Sequence, residues 1–290
     1  MFALKAPAKI NLILEVLGKR KDGYHEVSGV IQAISLSDVL EFQASDSFSF
    51  SCDNPEWDGA KSLVSRAAYL LAEQTGTSAG ASISIRKNIP FSAGLGGESS
   101  AAAITLIGLN HLFKTELLPG DLFCLAEKLG CDVPFFLTGG TALISGKGEK
   151  VSPLPSLPRH WVILLVPTDM GTQRKTEKMY SCLDPGDYTT GVSTDSFISS
   201  LTLGKTDNLP DFYNVFEEVA EEVFGDIHWY RDQLYLAGAK RVNMAGSGPV
   251  LFSLEKDKSQ AEQIVKRLSE SGLKAMLAHT IENTGFEIID

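Results

Sequence analysis

Residues 88–103 read NIPFSAGLGGESSAAA, a glycine-rich turn that leads from a predicted strand into an apolar helix. Before the turn, Ala81, Ile83 and Ile85 alternate with polar residues, which is typical of a half-buried strand. Glycines let the main chain approach an anion closely, and the first N–H groups of a helix attract negative charge. The stretch therefore predicts a phosphate-binding loop, followed by a helix that Ser99 or Ser100 caps.

Three familiar glycine motifs do not fit this chain. Gly146-Lys147-Gly148 lacks the spacing and the hydroxyl of a P-loop, and the sixth position counted from Gly94 is Ser99 instead of the glycine of a dinucleotide fingerprint. Ala245 stands where a nucleophile elbow needs its first glycine. Taken alone, the loop at residues 88–103 leaves open which kind of phosphate it binds.

The composition limits the class of protein. The chain of 290 residues carries a formal net charge of −10, which argues against a broad nucleic-acid surface. It has no uninterrupted apolar run long enough to span a membrane and no pattern of a signal peptide, so we expect a cytoplasmic protein without a membrane partner. The four cysteines form no C-x-x-C pair, and we expect buried free thiols.

A proline-rich segment at residues 151–158 precedes an apolar strand from His160 to Val166 and suggests a junction between two domains. We place the domains at residues 1–156 and 157–290. In the second, a capping box from Ser259 to Glu262 opens a predicted helix. Strands and helices that follow one another in this way predict an α+β protein.

Five further blocks accompany the loop in a fixed order along the chain. They are APAKINL at residues 6–12, GYHE at 23–26, GCDVPFF at 130–136, GGTA at 139–142 and MAGSGP at 244–249.

With the loop, these blocks resemble the GHMP kinase superfamily of galactokinases, homoserine kinases and mevalonate kinases. The resemblance implies ATP with Mg²⁺ and a two-domain GHMP kinase fold, in which an N-terminal ribosomal protein S5 domain 2-like unit binds ATP and a C-terminal ferredoxin-like α/β layer contributes to the substrate site. Mg²⁺ is expected to be held mainly by the ATP phosphates, with no protein ligand assigned.

Blocks 23–26 and 130–136 narrow the resemblance to one branch of the superfamily. That branch phosphorylates the 2-hydroxyl of a methylerythritol carried on cytidine diphosphate, in the non-mevalonate route to isoprenoid precursors. The implied partners are ATP and this small-molecule substrate, with no nucleic acid, for a monomer or homodimer. The alternatives are a kinase of the homoserine or mevalonate class and a catalytically impaired nucleotide-binding regulator.

The resemblance also implies roles for individual residues. Asp132 matches the catalytic aspartate that accepts the hydroxyl proton, and Lys9 matches the lysine beside it. Substrate binding is expected of Asn11, Tyr24, His25, Thr176 and Tyr180, with Tyr180 closing a stack on the cytosine. ATP binding is expected of Lys87, Pro90, Ala93, Gly94, Leu95, Gly96, Gly97, Glu98, Ser99, Ser100, Gly246 and Ser247.

Some of these residues also have a purely structural interpretation. Asp132 precedes Val-Pro and has the position of a helix cap, while Lys9 has that of a lysine at a strand edge. Tyr24 and His25 could be half-buried rings, and Lys87 a solvated residue at the end of a strand.

The loop departs from the superfamily pattern at Glu98, where a third glycine is usual. A glutamate there would be strained if the position needs a positive φ, and would either repel phosphate or bind Mg²⁺. Ser62 and Ala101 also replace residues that often contact the nucleotide.

Overall fold

The computed structural model describes residues 1–168, 174–206 and 209–282. The first half is built on a long antiparallel hairpin of β1 and β2, from which a mixed sheet extends in the order β3-β4-β2-β1-β8. β2 also pairs with β5, and β5 with β6, so that the long strand belongs to two parts of one bent sheet. The strands are β1 (Phe2–Lys19), β2 (His25–Ser45), β3 (Ser49–Cys52), β4 (Gly80–Arg86), β5 (Thr141–Gly146), β6 (Lys150–Pro153) and β8 (Tyr213–Asn214).

Four helices cover one face of this sheet. The helix after the glycine loop is rich in alanine and buried along most of its length, because Gly108 lets it lie directly on the ring of Phe42. A Cβ at Gly108 would come within 2.5 Å of that ring. The helices are α1 (Leu63–Thr75), α2 (Gly97–Phe113), α3 (Pro119–Leu129) and α4 (Val133–Thr138).

A second, antiparallel sheet with the order β11-β7-β10-β9 forms the other half, with helices packed against it. Its strands are β7 (Trp161–Val166), β9 (Asn243–Met244), β10 (Leu251–Glu255) and β11 (Lys274–His279). The helices of this half are α5 (Lys175–Cys182), α6 (Val192–Thr202), α7 (Ala220–Phe224), α8 (Ile227–Ala237) and α9 (Lys258–Glu270).

The chain changes from the first sheet to the second between β6 and β7, inside the proline-rich segment. β8 nevertheless returns to the first sheet and lies parallel to β1. The domain limits at 156 and 157 stay a prediction, and residues 169–173, 207–208 and 283–290 of the second domain lie outside the described residues. Among the helices that the structure describes, none is both long and apolar enough to cross a membrane.

Two predicted helix caps are wrong. α2 begins at Gly97 with Gly96 as its N-cap in the left-handed conformation, so Ser99 and Ser100 lie inside the first turn. α9 begins at Lys258, and its N-cap is Asp257, which has an extended backbone and accepts a hydrogen bond from the Gln260 N–H. The predicted cap, Ser259, therefore lies inside the helix. The four cysteines are free as expected, but the expected burial is wrong: Cys124 is exposed, and Cys52, Cys131 and Cys182 are half-buried.

Candidate active site

The glycine loop lies at the N-terminus of α2 and is fixed from two sides. Gly94 and Gly96 both have positive φ values, +78° and +73°, which turn the chain into the helix. The backbone N–H of Lys9 on β1 donates to the Leu95 carbonyl at 2.9 Å. On the other side, a Cβ at Gly94 would lie 2.0 Å from the carbonyl oxygen of Ala245. The loop therefore needs glycine where it meets the turn at residues 244–248, called here the glycine turn.

A cavity of about 220 Å³ lies on the loop, and it is lined by Lys87 and residues 90–99. Nine of the twelve residues predicted to bind ATP therefore surround one space, and Ser100, Gly246 and Ser247 do not line it. Ser100 follows in α2, and its buried hydroxyl has no hydrogen-bond partner among the described residues. Since buried polar groups are normally paired, this hydroxyl and the free N–H groups of the first helical turn suit an anionic ligand or its metal.

The glycine turn is held in place by Asn214 of β8. The Asn214 side-chain amide donates to the carbonyls of Met244 and Gly246, both at 2.8 Å. A Cβ at Gly246 would come within 3.0 Å of Lys9 Nζ. The C-terminal half thus brings the predicted residues Gly246 and Ser247 against the lysine of β1.

Lys9, Asn11 and Asp132 form the centre of the site. Lys9 and Asn11 lie on one face of β1, and Lys9 Nζ donates to Asn11 Oδ1 at 2.7 Å. The same Nζ atom lies 3.7 Å from Asp132 Oδ2, and Lys9 is buried whereas the Asp132 carboxylate is partly exposed. Asp132 has the N-cap position of α4 but makes no capping hydrogen bond. Its carboxylate is therefore free to face a ligand.

Lys87 is paired with a carboxylate that the sequence did not single out. Its Nζ lies 2.6 Å from Oδ2 of Asp38, which is fully buried. The other oxygen of Asp38 accepts from the backbone N–H groups of Asn88 and Ile89, both at 2.8 Å. The interpretation of Lys87 as a solvated lysine at the end of a strand is therefore wrong. Asp38 holds both the Lys87 ammonium and the backbone that leads into the glycine loop.

Glu98 is not strained, because it lies in the second position of α2 with ordinary helical backbone. Burial raises the pKa of its carboxyl, while Lys87 and the backbone N–H of Leu63 act in the opposite direction. Leu63 is the first residue of α1. The Glu98 side chain thus lies beside the start of a neighbouring helix, where a carboxylate is favourable.

This contact gives a prediction for a matched pair of variants. We expect Glu98→Gln to keep kcat and to change the KM for ATP by about fivefold or less, since the amide keeps the shape of the side chain beside Leu63. Glu98→Ala should lower the free energy of unfolding by about 0.3–1 kcal/mol, because α1 keeps its N-cap Ser62 but loses the acidic side chain beside its N-terminus. Steady-state kinetics and urea denaturation measure both. A large rise in the KM for ATP with Glu98→Gln would instead assign the carboxylate to the nucleotide.

A second cavity, of about 370 Å³, adjoins the first and shares Ser92, Gly94 and Gly96 with it. Asp132, Thr176, Tyr180 and the glycine turn also line it. Of the described residues that border this space, Asp132 carries the single carboxylate and four are cations: Lys9, Lys147, Arg174 and Lys175. A basic cleft in a chain of net charge −10 is a local site for a strongly anionic ligand.

The rings predicted to bind a base lie at the edge of this cleft. His25 stacks on Tyr180, with ring centroids 4.8 Å apart and planes 16° from parallel. Tyr24 is exposed, and Lys147 Nζ lies 4.6 Å from the centre of its ring. The Thr176 hydroxyl contacts that of Ser247 at 2.9 Å. Since His25 and Tyr180 touch, no base fits between them here, and the exposed ring of Tyr24 offers the open stacking face.

Sequence reasoning missed four residues of the site: Asp38, Lys147, Lys175 and Asn214. Asp38 could have been noticed as an acid directly before the apolar Val39 and Leu40 of β2, and Lys147 lies in the glycine pair that failed the P-loop test. Nothing in the local sequence of Lys175 or Asn214 indicates their contacts.

Comparisons with known proteins agree with this geometry. Family models match residues 62–140, as GHMP kinases N terminal domain, and residues 201–274, as GHMP kinases C terminal. The chain is 44% identical to a 4-diphosphocytidyl-2-C-methyl-D-erythritol kinase of Dehalococcoides mccartyi, over 97% of this chain and 99% of that protein.

Solved structures give the same result for the fold. A crystal structure of 4-(cytidine 5'-diphospho)-2C-methyl-D-erythritol kinase superposes with a TM-score of 0.82 at 33% identity, covering 96% of this chain and 98% of that one. A homoserine kinase from Cytophaga hutchinsonii gives a TM-score of 0.74 at 18% identity, over 100% of this chain and 97% of that chain, a likeness of fold alone.

Proposed function

Because the chain belongs to the 4-diphosphocytidyl-2-C-methyl-D-erythritol kinases, a family of GHMP kinases, we propose that it transfers the terminal phosphoryl group of ATP to the 2-hydroxyl of 4-diphosphocytidyl-2-C-methyl-D-erythritol. The enzyme is a small-molecule kinase of the non-mevalonate route to isoprenoid precursors. Its products are ADP and the 2-phosphate. The observation that carries the proposal is the placement of Lys9 and Asp132 beside the glycine loop, at the N-terminus of α2.

In this reaction Asp132 accepts the proton of the attacking hydroxyl. Its carboxylate makes no capping bond and is partly exposed to the cleft, so it can reach a bound alcohol. Lys9 holds that carboxylate from the buried side and is itself held by Asn11. Such a base contributes about 10²- to 10⁴-fold to the rate.

Most of the remaining acceleration comes from positioning and from neutralisation of charge, since phosphoryl transfer has a loose transition state. The free N–H groups at the start of α2 and the unpaired hydroxyl of Ser100 suit the phosphates of ATP. As the family resemblance implies, Mg²⁺ would be held mainly by the oxygens of ATP and would reduce the charge of the phosphates.

The cytidyl diphosphate part of the substrate fits the basic cleft and its aromatic edge. Lys147, above Tyr24, can neutralise the diphosphate, and the ring of Tyr24 can stack on the cytosine. Burial and Lys19 both lower the pKa of His25, which favours the neutral ring for stacking or hydrogen bonding. The second ring, Tyr180, backs His25 and is packed edge-on against Phe216.

A prediction follows for Tyr180. Replacing it by alanine should raise the KM for the cytidyl substrate by about 5- to 150-fold, because His25 loses the ring that holds it in place for the base, a stacking contact of about 1–3 kcal/mol. Tyr180→Phe keeps the ring and should match the parent. The KM for ATP, measured in the same assay, should stay unchanged in both variants. If Tyr180→Ala raised both KM values alike, the ring would act on the fold instead of on the base.

The proposed function is tested by ADP release with Mg·ATP and three acceptors in parallel: the cytidyl diphosphate substrate, homoserine and mevalonate. We expect turnover with the first alone. Turnover with homoserine or mevalonate alone would assign the chain to a sister activity, and no turnover with any acceptor would support a nucleotide-binding regulator. The retained Lys9 and Asp132 and the unstrained Glu98 argue against the regulator. We also propose a cytoplasmic enzyme that acts as a monomer or homodimer.

A further inference from the structure

Lys175 is a buried lysine to which the reaction described above assigns no role. It is the first residue of α5 and is about 6% exposed. Among the described residues its ammonium pairs with no carboxylate, and the ring of Phe224 lies 5.9 Å away. A buried charge without a counter-charge is costly, so its presence calls for an explanation.

The contacts of Lys175 join the two halves of the site. Its Nζ donates to the carbonyl of Ser92, which lies in the approach to the glycine loop, and to the carbonyl of Gly248, which ends the glycine turn. Gly94 and Ala245 touch beside this bridge. The ammonium therefore fixes the spacing between the glycine loop and the glycine turn, at the wall of the second cavity where it adjoins the ATP-binding cavity.

Several charged groups face Lys175 from the elements around it. Lys9 of β1 lies close enough to repel it and is itself paired with Asp132, and Arg174 precedes it in the chain. The contacts from the loop and from the glycine turn are neutral carbonyls. Burial first, and Lys9 second, lower the pKa of Lys175 to about 8. Among the described residues this ammonium thus has no carboxylate to compensate its charge.

We propose that Lys175 is a positioning residue for ATP, which clasps the glycine loop to the glycine turn, and that the bound triphosphate supplies its missing counter-charge, so that ATP binding and protonation of Lys175 are coupled. The identity of the ligand rests on the proposed function. The direction in which pH changes the affinity for ATP follows from this coupling. The ammonium is present below pH 8, and negative charge beside it raises its pKa in the complex. ATP affinity is therefore full below pH 8 and falls as the pH rises above it.

The coupling is measured on the unmodified enzyme by calorimetric titration with a non-hydrolysable ATP analogue and Mg²⁺. Titrations at pH 7 and pH 9 in buffers of different ionisation enthalpy give the number of protons bound. We expect close to none at pH 7, most of one proton at pH 9, and a Kd about tenfold weaker at pH 9 than at pH 7. The terminal phosphate of the nucleotide has a second pKa of about 6, so it does not change its protonation between pH 7 and pH 9.

Three variants test whether Lys175 is the group that takes up the proton. Lys175→Arg keeps a charge that does not titrate here, so its affinity should stay near the parent's at pH 7 and lose the dependence on pH. Lys175→Met should raise the KM for ATP by about tenfold or more at pH 7, with a smaller change in kcat. Lys178→Met changes an exposed lysine of the same helix and should match the parent.

Absence of proton uptake by the unmodified enzyme at pH 9 would overturn the proposal, as would Lys175→Met with the parent's Kd and pH profile. If Lys175→Met does not fold, proton uptake by the unmodified enzyme and the pH dependence of Lys175→Arg still test the proposal. Because these titrations need no acceptor, a lack of turnover with the cytidyl substrate would contradict the proposed function alone.

Discussion

Replacing Asp132 by asparagine should lower kcat by about 10²- to 10⁴-fold, while the KM for ATP stays near that of the parent. The amide keeps the shape of the side chain but cannot accept the hydroxyl proton. Because Asp132 makes no capping hydrogen bond, the variant should also unfold at the same urea concentration. Initial rates at saturating ATP, with denaturation by urea, measure both effects.

Asp257 provides the matched control, since it is an N-cap aspartate that does make its capping bond. Asp257→Asn keeps a good capping residue far from the cleft and should leave kcat unchanged. A loss of less than about tenfold in Asp132→Asn would reduce Asp132 to a structural residue and leave the chemistry to positioning alone. A fall in stability without a fall in kcat would lead to the same conclusion.

The parts of the site that the sequence predicted are those formed by neighbouring residues. The glycine loop enters α2 within one short stretch, and Lys9 and Asn11 share a face of β1 because side chains two positions apart in a strand do so. The family resemblance added Asp132, which pattern alone could not separate from a helix cap. Its lack of a capping bond shows only in three dimensions.

The parts that were missed depend on contacts between distant residues. Lys87 meets Asp38 across 49 positions, Asn214 holds Gly246 across 32, and Lys175 reaches Ser92 across 83. Neither charge nor periodicity predicts such pairs, because each partner looks ordinary in its own segment. The two buried lysines then differ in their partners. Lys87 is paired with a fully buried carboxylate, whereas the described hydrogen-bond partners of Lys175 are neutral carbonyls.

Glu98 shows how a departure from a family pattern can mislead. The sequence allowed a strained residue facing phosphate, since the usual glycine suggested a positive φ. In the structure the positive φ values belong to Ser92, Gly94 and Gly96, six, four and two positions earlier, and the helix has already begun at Gly97. The glycines that the loop cannot lose are therefore Gly94 and Gly96, and Gly94 gives the stronger test.

Gly94→Ala should disable ATP binding and weaken the fold together. The added Cβ would lie 2.0 Å from the Ala245 carbonyl oxygen, on a residue with φ of +78°. Overpacking and left-handed strain together should lower the free energy of unfolding by about 3 kcal/mol. Because the loop must move away from the glycine turn, we also expect kcat/KM for ATP to fall by about 10²-fold, the cost of a displacement near 1 Å.

Gly120→Ala is the control, since Gly120 lies in α3 with ordinary φ and no atom within 4 Å of the added Cβ. That variant should keep full activity and gain about 0.4–1 kcal/mol of stability. Denaturation by urea and titration with a non-hydrolysable ATP analogue separate the two effects of Gly94→Ala. If it bound the analogue as tightly as the parent, the contact between Gly94 and Ala245 would serve the fold alone, and the amides at the start of α2 would hold the phosphates without the glycine turn.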